Sequence, residues 1–245
     1  MTADRALSML VYGPSRAGKS TFAMTSPAPR LILDVEASSR FLPGAKIYWD
    51  PLAGPPPEYI PGGAWDTCIV PVTSWQIVGP TYDWLKSGRH QFKSVIVDSI
   101  SEVQNKTQEA VNGREQMKIQ HWGELYTRLS FFGRDLRDLT HLPNNSIEAV
   151  IITAMDQFNP ADGSHRPLLQ GSIANVIPYW YDINGYFYAQ QEPNPVTGEP
   201  EIVRHLFIGN NPSFVAGSRA PGLPDDIARP NIQEIINTIF GPAPE

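Results

Sequence analysis

Residues 12–21 read YGPSRAGKST: Tyr12, Gly13, Pro14, Ser15, Arg16, Ala17, Gly18, Lys19, Ser20, Thr21. Gly13, four residues, then Gly18-Lys19-Ser20 is the phosphate-loop pattern G-x-x-x-x-G-K-[ST]. In such a loop successive backbone N–H groups curl around an anionic phosphate, and the helix that follows turns its positive end toward the same charge. Lys19 is then placed to reach the β- and γ-phosphates, and the Ser20 hydroxyl to ligate Mg²⁺. Residues 13–21 are therefore the candidate nucleotide-binding set, with ATP and Mg²⁺ as the expected cofactors. The competing reading is a glycine-rich turn capping an ordinary helix, and the flanks decide against it. Residues 7–12 (LSMLVY) form an apolar run suited to a buried strand, and residues 20–24 begin a helix.

The chain has 245 residues, enough for one α/β domain with a sizeable core, and residues 1–245 are read as one unit. A net charge of -6 argues against a globally basic nucleic-acid binder, so any affinity for DNA must be local. The single cysteine, Cys68, excludes an intrachain disulfide and fits a reducing compartment, where it packs beside Ile69 and Val70. No stretch approaches 18 apolar residues and the start lacks a basic segment followed by an apolar one. A cytoplasmic protein without a membrane partner is expected. The 24 prolines gather in 43–61, 191–200 and 221–243, which marks loops.

Beyond the phosphate loop, the prolines at 27 and 29 stop the first helix, and Leu31-Ile32-Leu33 forms a second strand leading to Asp34-Val35-Glu36. Residues 37–64 are an irregular excursion with strand character only at 45–49. A short strand at 67–70 and a helix at 75–87 follow, with Gly79-Pro80 kinking or restarting that helix. Trp65, Trp75 and Trp84 read as core anchors, with base stacking as the alternative. Residues 94–99 (SVIVDS) are an apolar strand ending in Asp98, which after a phosphate loop is the Walker B pattern and puts Asp98 beside the Mg²⁺. Leu125, Leu129, Phe132, Leu136 and Leu139 step by four, three, four and three, the apolar stripe of a helix over 123–140 that stops at 142–145. A buried strand at 149–154, a turn at Asp162-Gly163, a hairpin of strands 181–189 and 202–208, and a last helix over 232–240 complete the chain. The five histidines show no metal-ligand spacing.

The order GPSRAGKST, LILDVEA, SVIVDSISEV resembles the RecA-type ATPase core. More closely, the chain resembles the phage-encoded RecA-core ATPases grouped with Sak-type single-strand annealing proteins, also described as phage AAA-domain nucleotide-binding proteins. That resemblance implies an α/β fold: a RecA-like P-loop NTPase core whose mostly parallel central sheet is flanked by helices, with the C-terminal antiparallel hairpin at the sheet edge. It implies that Glu36 orients the attacking water, a role that suits a carboxylate on a strand expected to neighbour the loop. It further implies that Gln157, or else Thr153, senses the γ-phosphate, and that Arg219 reaches a neighbouring subunit's nucleotide. The lysine expected two residues before Arg219 is Gly217, so hydrolysis is weak or another cation compensates, Arg204 being the candidate.

The same resemblance implies single-stranded DNA as partner, contacted from 106–121 and 156–170. Lys106, Arg114, Lys118 and Arg166 would then meet phosphates, with Phe158 or Trp122 stacking on bases. Scattered surface cations are the plainer reading of the same residues. The expected function is ATP-driven annealing or strand exchange by a homo-oligomeric ring or filament, with a phage single-strand binding protein as a further partner. Because the first strand begins near residue 7, polymerisation is expected to use core faces or the proline-rich excursion. The alternative is a slow NTP-dependent replication accessory of the helicase-loader type, acting on a protein. A small-molecule kinase has little support, since the loops hold few arginines for a second phosphate.

Overall fold

In the computed structural model, residues 5–143 and 145–242 are described. Asn144, part of the expected stop at 142–145, lies outside them, as do residues 1–4 and 243–245. The first strand, β1 (Leu7–Gly13), is buried at every position. Because strand side chains alternate in direction, such a strand feeds two cores. Leu10 and Tyr12 enter one apolar cluster, and Leu7, Met9 and Val11 enter the other. α1 (Lys19–Ala23) follows the phosphate loop and is only 5 residues long. β2 (Arg30–Asp34) comes next, then β3 (Lys46–Tyr48) and β4 (Thr67–Pro71) around the proline-rich excursion. A 3-10 turn at Trp75–Ile77 leads into α2 (Val78–Lys86). Pro80 is thus in the first helical turn, where its missing N–H costs nothing, and the helix restarts rather than kinks.

β5 (Ser94–Asp98) carries the second motif and runs into α3 (Ile100–Asn112). α4 (Ile119–Asp138) buries the whole predicted stripe, Leu125, Leu129, Phe132, Leu136 and, in the 3-10 turn beyond it, Leu139. β6 (Ala149–Asn159) and β7 (Ser164–Pro167) form an antiparallel hairpin around the Asp162-Gly163 turn. α5 (Ile173–Val176), β8 (Ile183–Pro193), β9 (Pro200–Phe207), β10 (Gly217–Ser218), β11 (Asp226–Ala228) and α6 (Ile232–Phe240) complete the order. No described helix is long and apolar enough to cross a membrane.

The strands form an 11-stranded sheet in the order β11-β9-β8-β1-β6-β5-β2-β4-β3, with β10 against β8 and β7 against β6. From β8 across to β3 every adjacent pair is parallel. This is the α/β architecture expected, a mostly parallel central sheet with antiparallel strands toward the C-terminus. α2 to α5 cover one face; α1 and α6 cover the other, where Phe22, Ile232, Ile235 and Ile236 are buried.

β2 does not lie beside β1, because β6 and β5 come between them. The C-terminal β8–β9 hairpin lies at the expected end of the sheet, with only the 3-residue β11, too short to show a period in the sequence, outside it. Trp65 is buried and Trp75 and Trp84 pack against the larger core, so they are anchors rather than stacking surfaces.

A Cβ at Gly13 would lie 2.0 Å from the Phe187 carbonyl oxygen on β8. Gly13→Ala should therefore force β1 and β8 apart and destabilise the fold by roughly 1–3 kcal/mol, read as a lower urea midpoint at unchanged slope.

Candidate nucleotide site

Parallel strands deliver their C-terminal ends to one side of the sheet, and ligands of open α/β sheets bind there. At that side β1 ends at Gly13 and the chain turns through the loop into α1. Gly18 has φ 109°, a conformation that favours glycine, and Arg16 has φ 62°. These left-handed positions curl the loop. With so short a helix, attraction of an anion rests on the loop N–H groups more than on a helix dipole. The Lys19 ammonium donates to the carbonyls of Gly13 (2.8 Å) and Pro14 (2.9 Å), bent back over the loop it serves. Burial lowers its pKa, while Asp98, Glu36 and Asp156 work in the opposite direction.

The loop forms one wall of a cleft of about 600 Å³, and Ser20, Glu36, Asp98 and Asp156 line it with Lys19. Asp98, at the end of β5, is almost fully buried and accepts from the Thr153 hydroxyl at 2.6 Å. Thr153, on the strand between β1 and β5, therefore orients the Walker B carboxylate. It is buried and does not line the cleft.

Glu36 reaches the cleft although its strand is remote from β1. The reason is local. Asp34 accepts from the backbone N–H groups of Ser38 (3.1 Å) and Ser39 (3.2 Å), and Val35 N–H bonds to the Asp98 carbonyl at 3.0 Å. The chain is thereby turned back across the end of β5, and the Ser99 hydroxyl donates to Glu36 Oε1 at 2.5 Å. The carboxylate pair seen in the sequence thus divides its work: Asp34 builds the turn and Glu36 faces the cleft. Burial raises the Glu36 pKa, the Ser99 hydrogen bond lowers it, and Asp98 raises it further.

Other expected residues lie elsewhere. Gln157 is exposed on β6 beyond the cleft, because the strand runs on to Asn159; Met155 and Asp156 line the cleft in its place. Arg219 bonds to the Tyr179 carbonyl beside Asp182 and does not line the cleft of its own chain. Lys106 is not in a loop; it sits on α3 and pairs with Glu109 at 3.2 Å. Arg166, on β7 rather than in a loop, pairs with Asp162 at 2.5 Å. Arg114 and Lys118 do fall in the short connection between α3 and α4.

Asp156 and Arg204 are the residues that matter most beyond the motifs. Asp156 ends the apolar run 149–154 with a carboxylate, the same signal that identified Asp98, but it was masked by the polar stretch that follows. Its Oδ2 lies 2.8 Å from His165 Nδ1, and its Oδ1 is buried without a hydrogen-bond partner. Arg204 donates from Nε to the Ala17 carbonyl at 3.1 Å and lies over Gly18.

Among the described residues no group of three or more His, Cys, Asp or Glu could hold a metal by itself. Mg²⁺ does not need one, since it takes one or two protein oxygens and completes its shell with phosphates and water. Ser20 and Asp98, hard oxygen donors lining one cleft, fit that requirement, and the unpartnered Asp156 oxygen adds an acceptor in the same wall.

A family model described as an AAA domain matches residues 5–220. The chain belongs to the AAA-domain family. No curated protein matches the chain. As an AAA-domain protein it has the core of a nucleotide-binding P-loop ATPase, which agrees with the cleft: a phosphate loop, a lysine, and carboxylates on adjacent strand ends.

Lys19→Ala should abolish retention of a fluorescent ATP analogue while the thermal melt stays cooperative; normal retention would remove the loop from its role. Glu36→Gln tests the buried carboxylate. A carboxyl whose folded pKa is raised supports stability below its unfolded pKa, near 4.3, and loses that support as pH rises through the folded value. The glutamine variant should thus melt higher than the native protein at pH 7, with the difference vanishing near about pH 4. A lower melting temperature at pH 7 would contradict that environment.

Proposed function

We propose that the protein hydrolyses ATP with Mg²⁺ to drive an oligomer that anneals or exchanges single-stranded DNA, as the resemblance to phage RecA-core annealing proteins implies. Glu36 orients water, Asp98 and Ser20 hold the ion, and Lys19 holds the phosphates. The observation that carries this reading is the continuity between cleft and hairpin. Asp156 lines the cleft, binds His165 on β7, and the His165 ring lies 5.3 Å from the ring of Phe158, a large aromatic left 54% exposed on β6. A change in the charge facing Asp156 therefore acts directly on a hairpin with an exposed aromatic, the kind of side chain that stacks on unpaired bases.

Arg219, turned away from its own cleft, is assigned to a neighbouring subunit's site, and the protein to the cytoplasm. A phage single-strand binding protein remains part of the same proposal.

The second reading, a replication accessory that binds a protein, has its own support. Lys106 and Arg166 are already paired with carboxylates, and α4 leaves Ile119, Trp122 and Tyr126 exposed at spacings of three and four. A strip of that kind suits an apolar partner surface.

Binding of a labelled single-stranded oligonucleotide, measured across a salt series with and without ATP, separates the two. The DNA reading expects affinity that falls with salt, a slope reduced by roughly 0.7 for each of Arg114 and Lys118 removed, and a loss of affinity in Phe158→Ala. Binding that is absent, or indifferent to both salt and ATP, supports the protein-partner reading instead. For the intersubunit role of Arg219, an equimolar mixture of inactive Arg219→Ala and Lys19→Ala chains should recover ATPase activity; no recovery assigns Arg219 a local role.

A further inference from the structure

A cavity of about 410 Å³ lies past the carboxyl ends of the adjacent parallel strands β2, β4 and β3, on the same side of the sheet as the phosphate loop. Residues 36–42 form a partition between it and the nucleotide cleft. Glu36, Ser38, Phe41 and Leu42 line the cleft, whereas Ala37, Ser39 and Arg40 line the far cavity. Hydrogen bonds hold this partition. Asp34 accepts from the N–H groups of Ser38 and Ser39 and from the Ser39 hydroxyl, and Ser38 Oγ donates to Asp98 Oδ2 at 3.3 Å. Whatever displaces or fixes Arg40 therefore acts on Glu36 and Asp98 through a turn whose bonds are already made.

The far cavity is cationic. Arg40 stands on the 3-10 turn Ser39–Phe41 and is exposed. Its guanidinium carbon lies 4.7 Å from the centre of the Phe41 ring, and among the described residues no carboxylate pairs with it. Lys106 reaches the cavity from α3. Its ammonium pairs with Glu109 at 3.2 Å, but the Glu109 side chain is 57% exposed, and so open a pair is held weakly and gives way to a better anion. Asp34 is the one carboxylate among the lining residues. Both of its oxygens are taken by donors of its own turn. Tyr48, at the end of β3, adds an exposed phenol ring.

An arginine fork grips two oxygens of a phosphate at once, and a lysine adds a compact charge. An aromatic ring beside them suits a phosphate that carries a base. The volume falls within the range of small-molecule sites, roughly 300–1,000 Å³.

We propose that this cavity is a second phosphate-binding site, separate from the phosphate loop, in which Arg40 and Lys106 hold the anion, and that its occupancy acts on Glu36 across the shared turn. The phosphate belongs either to the backbone of a single strand or to a free phosphate anion, and Tyr48 tells the two apart. The coupling, unlike the site itself, rests on the phosphate-loop reading.

The site is tested in Lys19→Ala chains, whose phosphate loop no longer retains a nucleotide. Binding of inorganic tripolyphosphate is measured by calorimetry and of a labelled single-stranded oligonucleotide by anisotropy, with and without Arg40→Gln or Tyr48→Ala, each variant first checked for a native thermal melt. Arg40→Gln should weaken whichever probe binds by about tenfold, the worth of one charge-assisted hydrogen bond. An oligonucleotide weakened by Tyr48→Ala assigns the site to a strand. Tripolyphosphate binding, with the oligonucleotide unbound or indifferent to Tyr48→Ala, assigns it to a free anion.

For the coupling, the same probes are titrated into the native chain saturated with a non-hydrolysable ATP analogue. Filling the cleft should change their affinity by at least about fivefold relative to the Lys19→Ala chain. Ser38→Ala, which cuts the tie to Asp98, should shrink that difference when placed in both backgrounds. Binding of neither probe, or binding indifferent to Arg40→Gln, overturns the site. Equal affinity with the cleft filled and empty, or a difference left whole by Ser38→Ala, overturns the coupling. An oligonucleotide that needs Phe158 but not Arg40 keeps the DNA reading and overturns this site, whereas tripolyphosphate that needs Arg40, with no oligonucleotide bound, keeps the site and removes that reading. A native chain that does not take up the analogue removes the phosphate-loop reading and the coupling with it.

Discussion

The site depends on the parallel register of β1 between β6 and β8. Gly13 pairs with Met155 on one side, and Tyr12 with Tyr186 on the other. Parallel pairing aligns strand ends, so the phosphate loop, Asp156 and, one strand further, Asp98 arrive at one edge of the sheet. Burial of β1 on both faces holds that register, because a slip by one residue would exchange the side chains of two cores. Gly13 completes it by allowing the backbone of β8 to approach where no side chain would fit.

Within the cleft, charge is balanced by position rather than by pairing. Lys19 sits in a partly buried place that disfavours its charge, with Asp98, Glu36 and Asp156 opposing that cost. Glu36 in turn is pushed toward its neutral form by burial and by Asp98. A set of groups held against their preferred ionisation is what a site for an anionic ligand and a cation requires, since the ligand supplies the missing charges. The Asp98 carboxylate is held in place by the Thr153 hydroxyl. Ser101 adds a second tie between α3 and the neighbouring strand, accepting from Met155 N–H and donating to the Leu168 carbonyl.

Much of this was legible in the chain. The phosphate loop, the strand ending at Asp98 and the stripe from Leu125 to Leu139 each carry a local pattern with a local cause. Glu36 lines the cleft by a route the sequence does not show: its strand is not beside β1, and the turn built by Asp34 brings it in. Lys106 and Arg166 were assigned to DNA contact by resemblance to loops of RecA-type cores, and the structure puts them on a helix and on a hairpin strand. Gln157 was placed by resemblance, but β6 runs on to Asn159 and carries Gln157 past the cleft, which Met155 and Asp156 line instead. Arg204 drew notice only as a spare cation; nothing near it in sequence shows that its strand lies over a loop 187 residues away.

By itself the sequence determined that the chain binds a phosphate-bearing ligand, that it folds around parallel strands, and which apolar residues form its core. Those properties follow from glycine conformations, lysine chemistry and periodicities that act within a few residues. Only the tertiary structure decided which strands are neighbours, that Thr153 steadies Asp98, that Asp156 joins the cleft, and that Arg204 lies over the phosphate loop. Those facts depend on strand order, which arises from packing two apolar faces at once and leaves no trace in any single stretch of the chain.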